Sequence, residues 1–292
     1  MNLVYTQKIE MIKALRSFFV EKGATEVFTP VTRKTTSMSI QRVETEFRTF
    51  LRNCQELQLR LMMAYYGDVF EIGPCFRREA IEDATHGREF TLLEAQFSNK
   101  DLSFLIGSLK EYISSQHSGF IFEEVSVVGE ILQKTGIDVV EEGEEKLVRF
   151  LQNLYPSMSF TQNYQYINYF IQQEIEPMSK GRCVFFTEYP SCTLSLARYT
   201  DTSKEVINRF ELFIDGIEVS NGYENSIDVD EFVERNKRVG MFTEEEQYLE
   251  ERLRDGSIPT RTAIIGIGVE RLCMTIYNIP NIQLLLHENS VF

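Results

Sequence analysis

An Asp-Gly pair between two alternating runs constrains this chain more than any other feature. Arg209–Ile214 and Ile217–Ser226 alternate apolar with polar side chains around Asp215-Gly216, a dipeptide that favours a type I′ turn, so the segment reads as an antiparallel hairpin. A second hairpin is read from Val69–Phe76 and Glu89–Ser98, joined by the polar loop Arg77–Arg88 that contains His86. Helical spacing marks 5–21, where Ile9, Ile12, Leu15, Phe18 and Phe19 share a face and Gly23 supplies the stop. Further helices are expected at about 55–66, 102–115, 228–239 and 243–254, and an extended stretch at Thr25–Val31 around Pro30. A glycine-punctuated apolar strand, Thr262–Val269, runs into a helix from Glu270. Hairpins interrupted by helices, without one-for-one alternation, point to an α+β fold: an antiparallel sheet flanked by helices.

The stretch 100–180 says less. Residues 138–146 read as an acidic loop or a helix start, and the aromatic run Tyr155–Phe170 as core or interface packing. No repeat or low-complexity linker breaks it off, so all 292 residues are expected to form one domain.

Charge and cysteine content narrow the function classes. Thirty Lys and Arg against 44 Asp and Glu give a net charge of −14, which argues against a large phosphate-binding footprint on nucleic acid. Five cysteines without C-x-x-C spacing read as buried free thiols of a reducing compartment, and three scattered histidines do not suggest a histidine metal site. The first twenty residues lack a signal-peptide pattern, and no apolar run reaches the roughly 18 residues of a membrane span. A cytoplasmic protein is expected.

Three segments carry chemistry. In the first, Arg77 at a strand end and His86 in the loop could meet polyphosphate, since guanidinium groups bind phosphate oxygens in bidentate fashion, and Phe90 could lie under a purine. A solvated loop of mixed charge explains the same residues. In the second, Glu211 and Glu218 fall on paired strands, where two carboxylates repel unless a cation such as Mg²⁺ lies between them. Two surface glutamates on an edge hairpin remain the alternative. In the third, Gly266-Ile267-Gly268 would let a ligand approach the backbone, and Arg271 opens the next helix beside it; Gly-x-Gly alone is weak.

Taken in order, these segments resemble motif 2, the metal-binding strand pair and motif 3 of class II aminoacyl-tRNA synthetases of the aspartate/asparagine/lysine subgroup. Phe18–Pro30 resembles motif 1, with Pro30 as the motif proline. Ser195-Leu196-Ala197, Arg209-Phe210-Glu211 and Ile217–Tyr223 look lysyl-type. The nearest likenesses are lysyl-tRNA synthetase and its truncated paralogue, the elongation factor P–lysine ligase; the likeness spans nearly the whole chain and is weakest over 100–180.

The resemblance implies ATP and Mg²⁺ as cofactors and assigns roles. Arg77 would contact the α-phosphate and the substrate carboxylate, Glu79 the adenine amino group, and His86 a terminal phosphate. Phe90 and Arg271 would sandwich the adenine, with Arg271 reaching the γ-phosphate, and Glu211 and Glu218 would hold Mg²⁺. Glu56, Glu94 and Asn221 would hold the amino acid, the first two through its α-amino group. Motif 1 implies a homodimer.

Three departures bear on the substrate. Motif 1 begins within the first two dozen residues, so no anticodon-binding domain is expected, and with the acidic charge this disfavours tRNA as acceptor. The loop arginine of lysyl enzymes is Thr85 here, in a loop one residue longer, where Arg88 is a candidate replacement. The lysine-recognising tyrosine and glutamate are Gln96 and Asn225, neutral groups suited to a neutral polar side chain, while alternation points Glu224 away. The expected function is activation of an amino acid as its adenylate and transfer to a non-tRNA acceptor: a protein lysine, a carrier-protein thiol or a small amine. The alternatives are a silent paralogue serving as amino-acid sensor or regulatory subunit, and a truncated synthetase that charges tRNA.

Overall fold

The computed structural model describes residues 3–34, 43–47, 49–78, 83–193, 195–238, 240 and 242–286. Its strands are β1 (Thr25–Glu26), β2 (Thr32–Arg33), β3 (Phe50–Leu51), β4 (Val69–Phe76), β5 (Glu89–Ser98), β6 (Phe122–Ser126), β7 (Cys183–Pro190), β8 (Val206–Ile214), β9 (Ile217–Glu224) and β10 (Thr262–Gly268). Eight of them form one sheet in the order β1-β4-β5-β10-β9-β8-β7-β6, and β2 pairs with β3 separately. All pairs inside the large sheet are antiparallel except the two at its edges, β1 with β4 and β6 with β7. Both expected hairpins are present. Asp215 and Gly216 have φ of 50° and 80°, the two positive values that a type I′ turn requires.

The sheet is covered unequally on its two faces. On one, α1 (Leu3–Glu21), α3 (Leu102–Gln116) and α10 (Val269–Tyr277) bury Met11, Leu15 and Phe19 against Phe70, Leu93, Phe97, Phe210 and Ile265, forming the main core. On the other face, α2 (Glu56–Tyr66) packs over β4 and β5. Helices α4 (Val127–Thr135), α5 (Val139–Glu142), α6 (Glu144–Leu154) and α7 (Asn163–Phe170) build a second core against Val184, Phe186 and Phe213 at the far end. The aromatic run expected to be packing supplies Tyr166, Ile167 and Phe170 to that core. Helices α8 (Val229–Arg238) and α9 (Glu244–Arg254) pack on each other and on α2, and α11 (Gln283–Leu286) lies by α1. Between the two covers, the middle of this face stays open.

The extended stretch Thr25–Val31 pairs with β4 at Thr25–Glu26 and by a bond from Val27 N to the Phe70 oxygen at 2.9 Å, and its far end is bonded elsewhere, with the Val31 oxygen accepting from Arg52 N at 2.8 Å. Beyond Val27 the chain turns off the ladder before Pro30, which has no N–H to donate. Strand β6 and helix α4 fall in the stretch where the sequence said least, and β7, the parallel partner of β6, follows just after it.

Candidate active site

Strand register draws the site. One row crosses the open face as Glu71 (β4), Glu94 (β5), Gly266 (β10), Asn221 (β9), Glu211 (β8) and Phe186 (β7). Period-two alternation puts Phe90, Leu92, Glu94 and Gln96 on this face and Leu93, Ala95 and Phe97 in the core beneath. Gly266 leaves the row without a side chain at its centre: a Cβ there would come 3.6 Å from Asn221 Oδ1 and 3.8 Å from Glu94 Cγ.

Asn221 joins Glu218 on this face through a bulge. It stands three residues after Glu218, a spacing that regular pairing would put on opposite faces. The register shifts between Leu212 and Phe213, so that Glu211 pairs with Asn221 but Phe213 with Glu218. Asn221 therefore shares the side of Glu211 and Glu218, and its Nδ2 donates to Glu218 Oε1 at 3.3 Å.

A cleft of about 590 Å³, open solvent included, lies along this side. Its lining takes Arg77, Thr85, His86 and Phe90 from the first hairpin, Glu218 and Asn221 from the second, and Gly266, Gly268 and Arg271 from the β10–α10 junction. The structure thus brings Arg77, His86, Phe90, Glu218, Asn221 and Arg271 together. Glu79 lies outside the described residues. Arg77 lies over the Phe90 ring at 5.0 Å, and its Nε is buried without a partner. Arg271 Nε donates to the Thr85 oxygen at 3.1 Å, and its Nη1 to the Glu218 oxygen at 3.2 Å, joining the two hairpin loops. His86 Nδ1 sits 2.9 Å from Asp83, which turns the ring within the loop. Thr91 N donates to Glu270 at 2.9 Å, and Lys8 pairs with the same carboxylate at 2.7 Å, which fixes the start of α10 against β5.

At the inner end Glu94 is buried and accepts from the backbone N–H of Gln55. Burial first, then the Glu56 carboxylate, pushes it up to about 8. Glu56 opens α2 and accepts from the Tyr223 hydroxyl, with burial as the main cause raising its own value. Gln96 donates from Nε2 to the Glu56 main-chain oxygen at 2.6 Å. Asn225 lies one row beyond Tyr223, with Oδ1 accepting from Arg60 at 3.1 Å and Nδ2 donating to Thr262 at 3.0 Å. Glu224 faces the opposite side, as alternation requires, accepting from Arg198 Nε at 2.8 Å and Leu102 N at 3.0 Å.

Glu211 is held by Arg209 and by the Tyr189 hydroxyl, the latter at 2.8 Å. Burial raises its value, Arg209 opposes that, and Glu218 adds to it. Glu176, which the sequence reading missed because it stands in an irregular helical turn, is pushed up to about 8 by burial and then by Glu211 and Glu218. Among the described residues no group of three or more His, Cys, Asp or Glu stands at metal-binding spacing. The excess of carboxylate over Arg209 and the all-oxygen donor set nevertheless fit a hard cation such as Mg²⁺ that keeps most of its waters. Arg60, also missed, is buried on α2, and only the fold shows that it meets Asn225.

Comparison with known proteins agrees with this architecture. The chain is 28% identical to a lysine–tRNA ligase of Mycoplasma genitalium, over 97% of this chain and 64% of that protein. It is 28% identical to the Mycoplasma pneumoniae lysine–tRNA ligase, over 96% of this chain and 63% of that protein. An elongation factor P–(R)-β-lysine ligase of Hamiltonella defensa is 26% identical, over 95% of this chain and 92% of that protein. The chain therefore spans under two thirds of the length of the tRNA ligases it matches. The family model for class II tRNA synthetases (D, K and N) matches residues 1–287, and the chain belongs to that family.

Proposed function

We propose that this chain activates an amino acid as its aminoacyl-adenylate at the expense of ATP and passes the acyl group to an acceptor other than tRNA. The observation that carries the reading is the convergence of Arg77 and Arg271 on one cleft, from separate elements, beside the Glu94–Gly266–Asn221 row. Two guanidinium groups suit a triphosphate, and Arg77 has an unpartnered buried donor to give. The carboxylate pair Glu94 and Glu56 suits the α-ammonium group, whose arrival relieves their mutual repulsion.

In the reaction one carboxylate oxygen of the amino acid attacks the α-phosphorus of ATP. The bond from that phosphorus to the bridging oxygen breaks, and the electron pair leaves with pyrophosphate. No proton need move, so catalysis lies in positioning and in neutralising the charge that grows on the leaving group. Arg77 would fix the carboxylate and the α-phosphate, Arg271 the far phosphates, with His86 near the terminal one. Phe90 would support the purine and Glu79 its amino group. Glu211 and Glu218 would hold Mg²⁺, which supplies charge neutralisation to the phosphates when bound.

The net charge of −14 supports a non-tRNA acceptor. The printed name of the Hamiltonella defensa relative makes a protein acceptor the first to examine, with a carrier-protein thiol or a small amine after it. Motif 1 supports a homodimer, and a reducing cytoplasm suits the five free cysteines. Exchange of labelled pyrophosphate into ATP, required to depend on one amino acid from a panel, tests the reading. Exchange independent of every amino acid would remove it.

A further inference from the structure

The cleft stops at the row of Gly266 and Asn221. Its lining includes neither Glu94 and Glu56 nor Gln96, Ile264 and Tyr223, the last three forming the next row across β5, β10 and β9. That row stands about 7 Å farther along the strands, two residues at the usual rise. It is tied from above. Gln96 Nε2 donates to the Glu56 oxygen at 2.6 Å and the Tyr223 hydroxyl donates to the Glu56 carboxylate, so the first turn of α2 spans the row as a lid. Ile264 fills the centre, 3% exposed, where the preceding row has a glycine. Behind this wall Arg60 Nη1 and Thr262 Oγ1 hold the two ends of the Asn225 amide, while Arg60 Nε keeps a buried donor without a partner.

One polar atom of the wall is unspent. Gln96 is fully buried and its Oε1 has no partner. A buried acceptor left open costs on the order of 1–3 kcal/mol, which a ligand donor recovers.

Resting on the proposed activation of an amino acid in this cleft, we infer that the Gln96–Ile264–Tyr223 row ends the amino-acid subsite. The substrate class is then a short amino acid whose side chain ends in a hydrogen-bond donor, of serine, asparagine or 2,3-diaminopropionate size. Tyr223 sets the length limit: it can be displaced only by breaking its bond to Glu56, whereas Ile264 is locked in the middle of the sheet. Lysine and glutamine reach past the wall.

Isothermal titration calorimetry of the full chain reads this without turnover. The panel is glycine, alanine, serine, asparagine, 2,3-diaminopropionate, glutamine and lysine. At least one of the three short donors should bind ten-fold or more tighter than alanine, glutamine and lysine. Tyr223→Ala, and Tyr223→Leu in case the first variant unfolds, should shift the short-to-long ratio at least ten-fold towards glutamine or lysine. Tyr223→Phe, which keeps the ring but loses the bond to Glu56, should move the ratio in the same direction by a smaller factor. Lysine or glutamine binding to the unmodified chain as tightly as the short donors would overturn the inference, as would an unmoved ratio in a folded Tyr223 variant or no binding by any of the seven. Absent pyrophosphate exchange with the calorimetric order intact would remove the activation reading and leave the length limit standing.

Discussion

The Arg271 guanidinium sits on Glu218, with Nη1 3.2 Å from its main-chain oxygen and 3.4 Å from its Oε2. The same side chain reaches the Thr85 carbonyl, so one cation spans motif 3, the second hairpin and the motif 2 loop. Arg271→Ala should lower amino-acid-dependent exchange at least a hundred-fold, as expected for a donor that acts on charge developing in the transition state. Arg271→Lys should recover only part, because an ammonium cannot make the forked contact. The melting temperature of both variants should stay within a few degrees of the parent. A large loss of stability with unchanged exchange would make Arg271 a strut rather than a phosphate ligand.

Glu94 gives the site a pH dependence with a definite sign. Its folded value, about 8, is raised above the ordinary 4.5 by burial and by Glu56. The stability gained by holding its proton is therefore fully present below about pH 4.5 and lost as pH rises through about 8. Glu176, also pushed up to about 8, adds to the same window. Thermal unfolding without ligand should show a falling melting temperature across neutral to mildly alkaline pH, and Glu94→Gln, which mimics the protonated acid, should flatten that fall. Binding of an ammonium beside Glu94 favours its ionised form, so calorimetry in buffers of different ionisation enthalpy should register proton release.

Two glycines separate shape from function. A Cβ at Gly266 would meet its neighbours at ordinary contact distance, 3.6–3.9 Å, so Gly266→Ala should fold normally. It should raise KM for the amino acid roughly ten-fold with a smaller effect on kcat, since a methyl group narrows the floor of the site. A Cβ at Gly222 would come 2.6 Å from the Phe210 ring and 2.8 Å from the Ile264 oxygen. Gly222→Ala should therefore lose stability by roughly 1–3 kcal/mol in denaturant unfolding.

Arg52 and Glu71 form a buried ion pair at 2.6 Å, 1% and 3% exposed, and Arg52 also donates to the Pro74 oxygen at 2.8 Å and to Thr29. The pair fastens the stretch before Pro30 to the edge of the sheet. Arg52→Met leaves a buried carboxylate unpaired and should cost roughly 3–5 kcal/mol in urea unfolding. A change under about 1 kcal/mol would show that water reaches Glu71 once the arginine is gone.

Much of this arrangement was legible before the fold was known, and the reason is local. Asp215-Gly216 and the alternation on either side give a hairpin that tertiary contacts only confirm. The strands Val69–Phe76 and Glu89–Ser98 pair residue for residue without a break, so the face holding Phe90, Glu94 and Gln96 follows from counting by twos. Cys183–Pro190 gave no such count: it is buried on both sides and kinked where Glu188 takes φ of 52°, between two register positions. Phe122–Ser126 is a half-buried edge strand whose partner is sixty residues away. Glu218 facing with Glu211 follows from the two-residue turn, whereas Asn221 joining that face depended on a bulge at Val219 that the sequence does not announce. The contact of Arg60 with Asn225, across 165 positions, and the closure of Glu56 by Tyr223 belong to tertiary packing, and no local pattern carries them.

The proposed reaction breaks ATP between its α- and β-phosphates with an amino-acid carboxylate as nucleophile. Incubation with α-labelled ATP, Mg²⁺ and the calorimetrically preferred amino acid, followed by separation of the labelled products, tests this most directly. Label should appear in an aminoacyl-adenylate, or in AMP once an acceptor or water has taken the acyl group, together with one pyrophosphate per turnover. Label appearing in ADP, or ATP returned unchanged while the amino acid binds, would contradict this reaction.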